Sequence, residues 1–115
     1  MKKERDAGVY LEDILESIGL IEKYVTESGK KGFHDNLQVQ DAVIRRLEII
    51  GEAVKNLPQD FKLKHPQIPW KEIAGMRDVL IHEYFVLDVE RVWNTVENDF
   101  PQFKMQIKQL LNDLN

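Results

Sequence analysis

Apolar side chains recur every three or four positions early in the chain. Tyr10, Leu11, Ile14, Leu15, Ile18, Ile21 and Val25 fall on one face of a helix over about residues 6 to 28. The stretch Glu27-Ser28-Gly29-Lys30-Lys31-Gly32 holds two glycines and two adjacent cations, which predicts a helix stop and a loop. A second stripe, Val39, Val43, Leu47, Ile50, Val54 and Leu57, predicts a helix of about six turns. It starts near Asp35 or Asn36, either a good N-cap, and ends at Pro58. Pro58, Pro66 and Pro69 bracket residues 59–69 and leave room for one helical turn at most, a connection that covers the core with Phe61, Leu63 and Ile68. Pro69 suits the first position of a third helix, in which Trp70, Ile73, Met76, Leu80 and Ile81 are apolar and Glu72 lies in the first turn. Asp88 is the N-cap of a last helical stretch bearing Val89, Val92, Trp93, Val96, Phe100, Phe103, Ile107, Leu110, Leu111 and Leu114, kinked or split by Pro101.

No segment alternates with period two, and no internal repeat is present. The expected fold is all-α: an antiparallel bundle of four main helices with a short helical connection, one domain over residues 1–115. A chain of 115 residues with 43% hydrophobic side chains, only 6 Gly and 4 Pro can bury such a core, which excludes disordered and collagen-like classes. Absence of cysteine removes disulfides, thiol nucleophiles and Cys-held metals. The charged start Met1-Lys2-Lys3-Glu4-Arg5-Asp6 and the lack of a long apolar run predict a cytoplasmic protein without a membrane span. The net charge of −4 argues against non-specific coating of nucleic acid, so any contact with it is local. Lys30-Lys31, Arg45-Arg46 and Lys62-Leu63-Lys64-His65 are basic spots of the kind that solvated helix surfaces usually carry.

The densest polar cluster lies in Gly75-Met76-Arg77-Asp78-Val79-Leu80-Ile81-His82-Glu83-Tyr84. On a continued helix, Asp78 stands about 100° from Arg77, His82 about 140° and Tyr84 about −20°. Arg77 and Tyr84 then share a face, and Asp78 at i can orient His82 at i+4. Arg77 and His82 diverge, so they converge on one substrate only if the helix ends near His82 or a second copy of the motif completes the site. An imidazole can take a proton from a ribose 2′-hydroxyl or give one to a leaving 5′-oxygen while a guanidinium binds the phosphate, the minimum for RNA cleavage without a metal. No Ser or Thr lies near His82 for a hydrolytic triad, and His34, His65 and His82 lack metal-ligand spacing. An ordinary hydrogen-bonded helix against a bundle neighbour would also use these residues. Glu52, set in an apolar stretch beside Ile50 and Ala53, needs a cationic partner such as Arg77 or Arg46 if buried, and otherwise lies on the surface.

The run Arg77-Asp78-Val79-Leu80-Ile81-His82-Glu83-Tyr84 resembles the Arg-x4-His-x-Tyr signature of the HEPN ribonuclease superfamily, specifically its HepT-like toxins. Asp41 to Ala53 is similar to that family's second helix and Pro69 to Met76 to its lead-in, while Asp88 to Trp93 and Asn98 to Pro101 also fit, so the likeness covers roughly residues 8 to 111. The resemblance implies a homodimer whose two motifs face a shared cleft, and a metal-independent, cofactor-free endoribonuclease acting on RNA as the toxin of a type VII-like toxin–antitoxin pair. It implies Arg77 and His82 as the catalytic pair, Asp78 as the polar residue beside them, and Tyr84 as the tyrosine that a minimal nucleotidyltransferase antitoxin modifies with AMP. Adenylylation there adds bulk and a negative charge where an RNA phosphate must dock. The alternative is a non-catalytic helical module that binds the nucleotidyltransferase and is modified by it.

Overall fold

In the computed structural model, which describes residues 2–82 and 86–114 with side chains from residue 7 onward, helices follow one another with short connections. They are α1 (Lys2–Asp35), α2 (Leu37–Asn56), α3 (Gln59–Lys64), α4 (Trp70–Leu80), α5 (Val89–Asn98) and α6 (Phe100–Leu114). No strand occurs among the described residues; an isolated antiparallel bridge pairs Ile81 with Leu87. The all-α expectation holds, with α1, α2, α4 and the α5–α6 pair as its four main parts.

Local chemistry explains the boundaries. Asn36 caps α2, its side chain accepting from the Val39 N–H at 3.2 Å, and Leu57 closes it with its own N–H on the carbonyls of Ala53 and Val54. Asp88 caps α5 by accepting from the Arg91 N–H at 3.1 Å. The last helical stretch is split rather than kinked, at Asp99, where Pro101 follows as the second residue of α6.

Three sequence expectations need correction. Helix does not give way to a loop after residue 28: the chain breaks at Gly29 (φ 72, ψ 167), a backbone region that side chains strongly disfavour, and then resumes helix to Asp35. The resumed turns bury Phe33 completely, an anchor that the glycine and lysine signals around it concealed. Leu63 does not cover the core; it is 69% exposed, while Ile68 is buried and Phe61 packs at the core edge. Pro69 stands at the N-cap of α4 rather than inside its first turn.

The core joins Leu11, Ile14, Ile18 and Ile21 of α1 to Leu47 and Ile50 of α2, Ile73 and Leu80 of α4, Val92 of α5, and Phe100 and Ile107 of α6. Each such side chain contributes roughly 1.5–3 kcal/mol by leaving water. The long helix α1 packs against α2, α5 and α6, while α4 lies mainly on α2. A Cβ on Gly51 would stand 3.4 Å from the Ala74 carbonyl oxygen, so α2 and α4 approach closely at this point. Among the described residues, no helix is long and apolar enough to cross a membrane.

Candidate active site

Helix α4 ends at Leu80, and Ile81 is already extended (φ −120, ψ 120). His82 therefore lies beyond the helix, and the i, i+4 relation to Asp78 does not form. Instead the chain turns back on itself: the His82 N–H donates to the Val86 carbonyl at 2.8 Å, and the Asp88 N–H donates to the Leu80 carbonyl at 2.8 Å. Buried Ile81 and Leu87 pin the two arms of this turn to the core. The helical angle drawn for His82 no longer applies once the helix has ended; the expectation for Tyr84 lies outside the described residues.

The partner of His82 is Asp88, whose Oδ2 lies 3.3 Å from Nε2. A carboxylate has no proton to offer at neutral pH, so this bond requires a ring hydrogen on Nε2, and in the neutral ring the lone pair is then on Nδ1. The Arg91 backbone N–H, more than any other group, holds the Asp88 carboxyl below the usual carboxylate range; partial burial opposes it, and His82 and the Arg91 side chain add to it. Asp88 thus does two jobs, starting α5 and holding the imidazole. His82 itself remains open to solvent, its side chain 59% exposed.

Arg77 sits in the last turn of α4 with its side chain one-third exposed. Its Nε lies 3.6 Å from Glu48 Oε2 on α2, and its Nη1 donates to Asp78 Oδ1 at 3.3 Å. Asp78 is largely exposed. Of the two readings of Glu52, buried beside Arg77 or Arg46 or lying on the surface, the structure has the second: it is exposed, and its carboxylate accepts from Asn56 Nδ2 at 3.5 Å. The carboxylate that meets Arg77 from α2 is Glu48, one helical turn earlier. The crossing at Gly51 and Ala74 sets this register, which apolar periodicity alone leaves undetermined. Both glutamates nevertheless line the same open cleft of about 250 Å³, together with Gly51, Lys55, Ala74, Arg77 and Asp78. Among the described residues, no group of three or more His, Asp or Glu side chains is arranged to hold a metal ion.

Two partners of the candidate residues escaped the sequence reading. Glu48 gave no signal beyond lying on the same face as Glu52. Asp88 was legible as a cap, yet its six-residue separation from His82 fits no helical spacing, because the pair meets across the turn closed by Ile81 and Leu87.

A family model described as "Ribonuclease HepT-like" matches residues 14–110. The chain is 54% identical over 101 residues to "Probable ribonuclease HepT" of Thermococcus cleftensis, covering 88% of this chain and 92% of that protein. It is 48% identical over 111 residues to a Methanocaldococcus jannaschii protein named as a gamma-glutamylcyclotransferase and candidate RNase, covering 96% of this chain but only 50% of that longer protein. A candidate RNase of Caldanaerobacter subterraneus is 45% identical over 102 residues, covering 89% of this chain and 91% of that protein. No solved structure matches the chain. With its all-helical fold, and with a match that spans both Arg77 and His82, the chain belongs to the HepT-like ribonuclease family.

Proposed function

We propose that the protein is a metal-independent endoribonuclease, the toxin of a cytoplasmic toxin–antitoxin pair, acting as a homodimer of one-domain chains. The observation that carries this reading is the turn after α4, which brings His82 out of the helix and against Asp88 just past Arg77, in a chain of this family. Arg77 binds the scissile phosphate through its planar fork and stabilises the charge that builds on it. The ribose 2′-oxygen attacks the adjacent phosphorus; the O2′–P bond forms as the P–O5′ bond breaks, giving a 2′,3′-cyclic phosphate and a 5′-hydroxyl. The 2′-hydroxyl proton passes to the imidazole, and the leaving 5′-oxygen takes a proton from an imidazolium. Asp88 keeps the ring in the tautomer that presents Nδ1 as the base. Asp78 and Glu48 hold the guanidinium, and Glu52 contributes to the charge of the cleft wall. DNA, lacking the internal nucleophile, is not cut.

Tyr84 is the proposed site of AMP addition by a partner nucleotidyltransferase, two residues beyond His82 in sequence. The added phosphodiester would compete with RNA for the positive charge of Arg77. The test is intact mass of protein made with and without the nucleotidyltransferase, followed by incubation of each form with RNA in EDTA. Cleavage by the bare form, lost in Arg77→Ala and His82→Ala and absent from a form heavier by AMP at Tyr84, supports the proposal. A clean unmodified dimer that does not cut RNA overturns it in favour of a non-catalytic module that binds the nucleotidyltransferase.

A further inference from the structure

The cleft at Arg77 is poorly charged for a polyanion. Glu48, Glu52 and Asp78 face it against Lys55 and Arg77, a formal balance of −1. A neighbouring groove of about 470 Å³ between the end of α2, α3 and the start of α4 has the opposite character. Lys55, Lys62 and Lys71 line it against Glu72 alone, a formal balance of +2 in a chain whose net charge is −4. The two spaces adjoin each other, since Lys55 and Ala74 line both.

The groove also offers an apolar surface. Trp70 lines it, fixed by an Nε1–H bond to the His65 carbonyl at 3.1 Å and backed by Phe61 at a ring separation of 6.4 Å. Exposed Leu63 forms part of the same wall. Lys62 donates to the Val54 carbonyl at 3.0 Å, which holds its ammonium at the groove while leaving two more N–H donors. Cations spaced along a channel around a held aromatic ring form the arrangement that binds single-stranded nucleic acid, the cations taking phosphates and the ring taking a base.

We infer that this groove is the subsite for the single-stranded RNA flanking the scissile phosphate, and that it supplies the electrostatic attraction the cleft at Arg77 lacks. The inference rests on the ribonuclease reading for its substrate but not for its test. Binding of a fluorescent single-stranded RNA is measured by anisotropy, over a range of salt, with protein carrying Lys62→Gln and Lys71→Gln, neither of which lines the cleft at Arg77. Loss of two phosphate contacts lowers the slope of log affinity against log salt by about 1.4. Affinity for a long oligonucleotide should fall about tenfold, and that for a dinucleotide, which reaches the cleft alone, should change less than twofold. In a Trp93→Phe background, RNA should quench the remaining Trp70 fluorescence.

Unchanged affinity and slope, an equal loss for both lengths, or unquenched Trp70 each overturn the inference. Unchanged RNA binding with lost binding of the nucleotidyltransferase also overturns it and assigns the groove to a protein partner. Length-dependent RNA binding by a protein that never cleaves keeps the subsite and defeats only the nuclease reading.

Discussion

Replacing Asp88 by Asn separates the residue's two jobs. The Asp88 carboxylate accepts from the Arg91 N–H with one oxygen and engages His82 Nε2 with the other. An amide can do only one of these as the carboxylate does. With its oxygen on Arg91 it turns an NH2 group toward Nε2 and forces the opposite tautomer; flipped, it keeps the tautomer and gives up the cap. A hydrogen bond to a charged partner contributes about 1.5–3 kcal/mol when sheltered. With the imidazole 59% exposed, we take about 1.4 kcal/mol, which is tenfold in kcat. The stability cost is smaller, because Asn caps about as well as Asp: less than about 0.5 kcal/mol, or roughly 2 °C in Tm for a chain of this size. Asp88→Ala should lose the tenfold in kcat and also about 1 kcal/mol of cap stability. Initial rates on an RNA oligonucleotide in EDTA and melting curves by circular dichroism read the two effects separately. An Asn variant with undiminished kcat and an unchanged Tm, having kept both tautomer and cap, would refute the assignment of the imidazole to Asp88.

Other outcomes follow from the same geometry. Arg77→Lys keeps the charge but loses the planar fork and the Nε contact with Glu48, so cleavage should drop about 100-fold while the salt dependence of RNA binding stays the same; wild-type rates would show that a point charge suffices. Gly29→Ala has open space for its methyl group but must hold φ 72 with ψ 167, costing about 2 kcal/mol and about 8 °C in Tm; an unchanged melt would show that the α1 break relaxes freely. The Asp88 carboxyl is held below its usual range, chiefly by the Arg91 N–H. Its contribution to stability is therefore complete above about pH 4 and is lost as pH falls through the lower folded value. The stability difference between wild type and Asp88→Asn should shrink on acidification from about pH 5 to about pH 3, and a constant difference would contradict that sign.

Most of the bundle was legible because its apolar stripes are long and its caps are chemically explicit. Asn36 and Asp88 cap where their side chains said they would, and Ile73, Met76 and Leu80 point inward as their spacing requires. The misread places are those where two local rules compete. Gly29 marks a break, yet Phe33 draws the chain back into helix because a fully buried phenyl ring outweighs the weak stop signals around it. The cluster from Arg77 to His82 read as one helix because Leu80 and Ile81 continue the apolar pattern; both are indeed buried, but Ile81 is buried from an extended backbone. Periodicity records which residues face the core and not whether the helix continues. Glu48 and Glu52 differ by one turn on a common face, and only the close crossing of α2 and α4 decides which of them meets Arg77.

The end of α4 at Leu80 places the two principal side chains on separate mechanical mounts. Arg77 travels with α4 and the α2 face beneath it, whereas His82 is fastened to Asp88, the residue that begins α5, and α5 leans on α1 and α6. The spacing between guanidinium and imidazole is thus set by how α4 and α5 are held against each other, through their own contact and the backbone bonds of the turn. On the proposed mechanism, substitutions in the α5–α6 packing alter that spacing, and with it the cleavage rate, without touching either side chain.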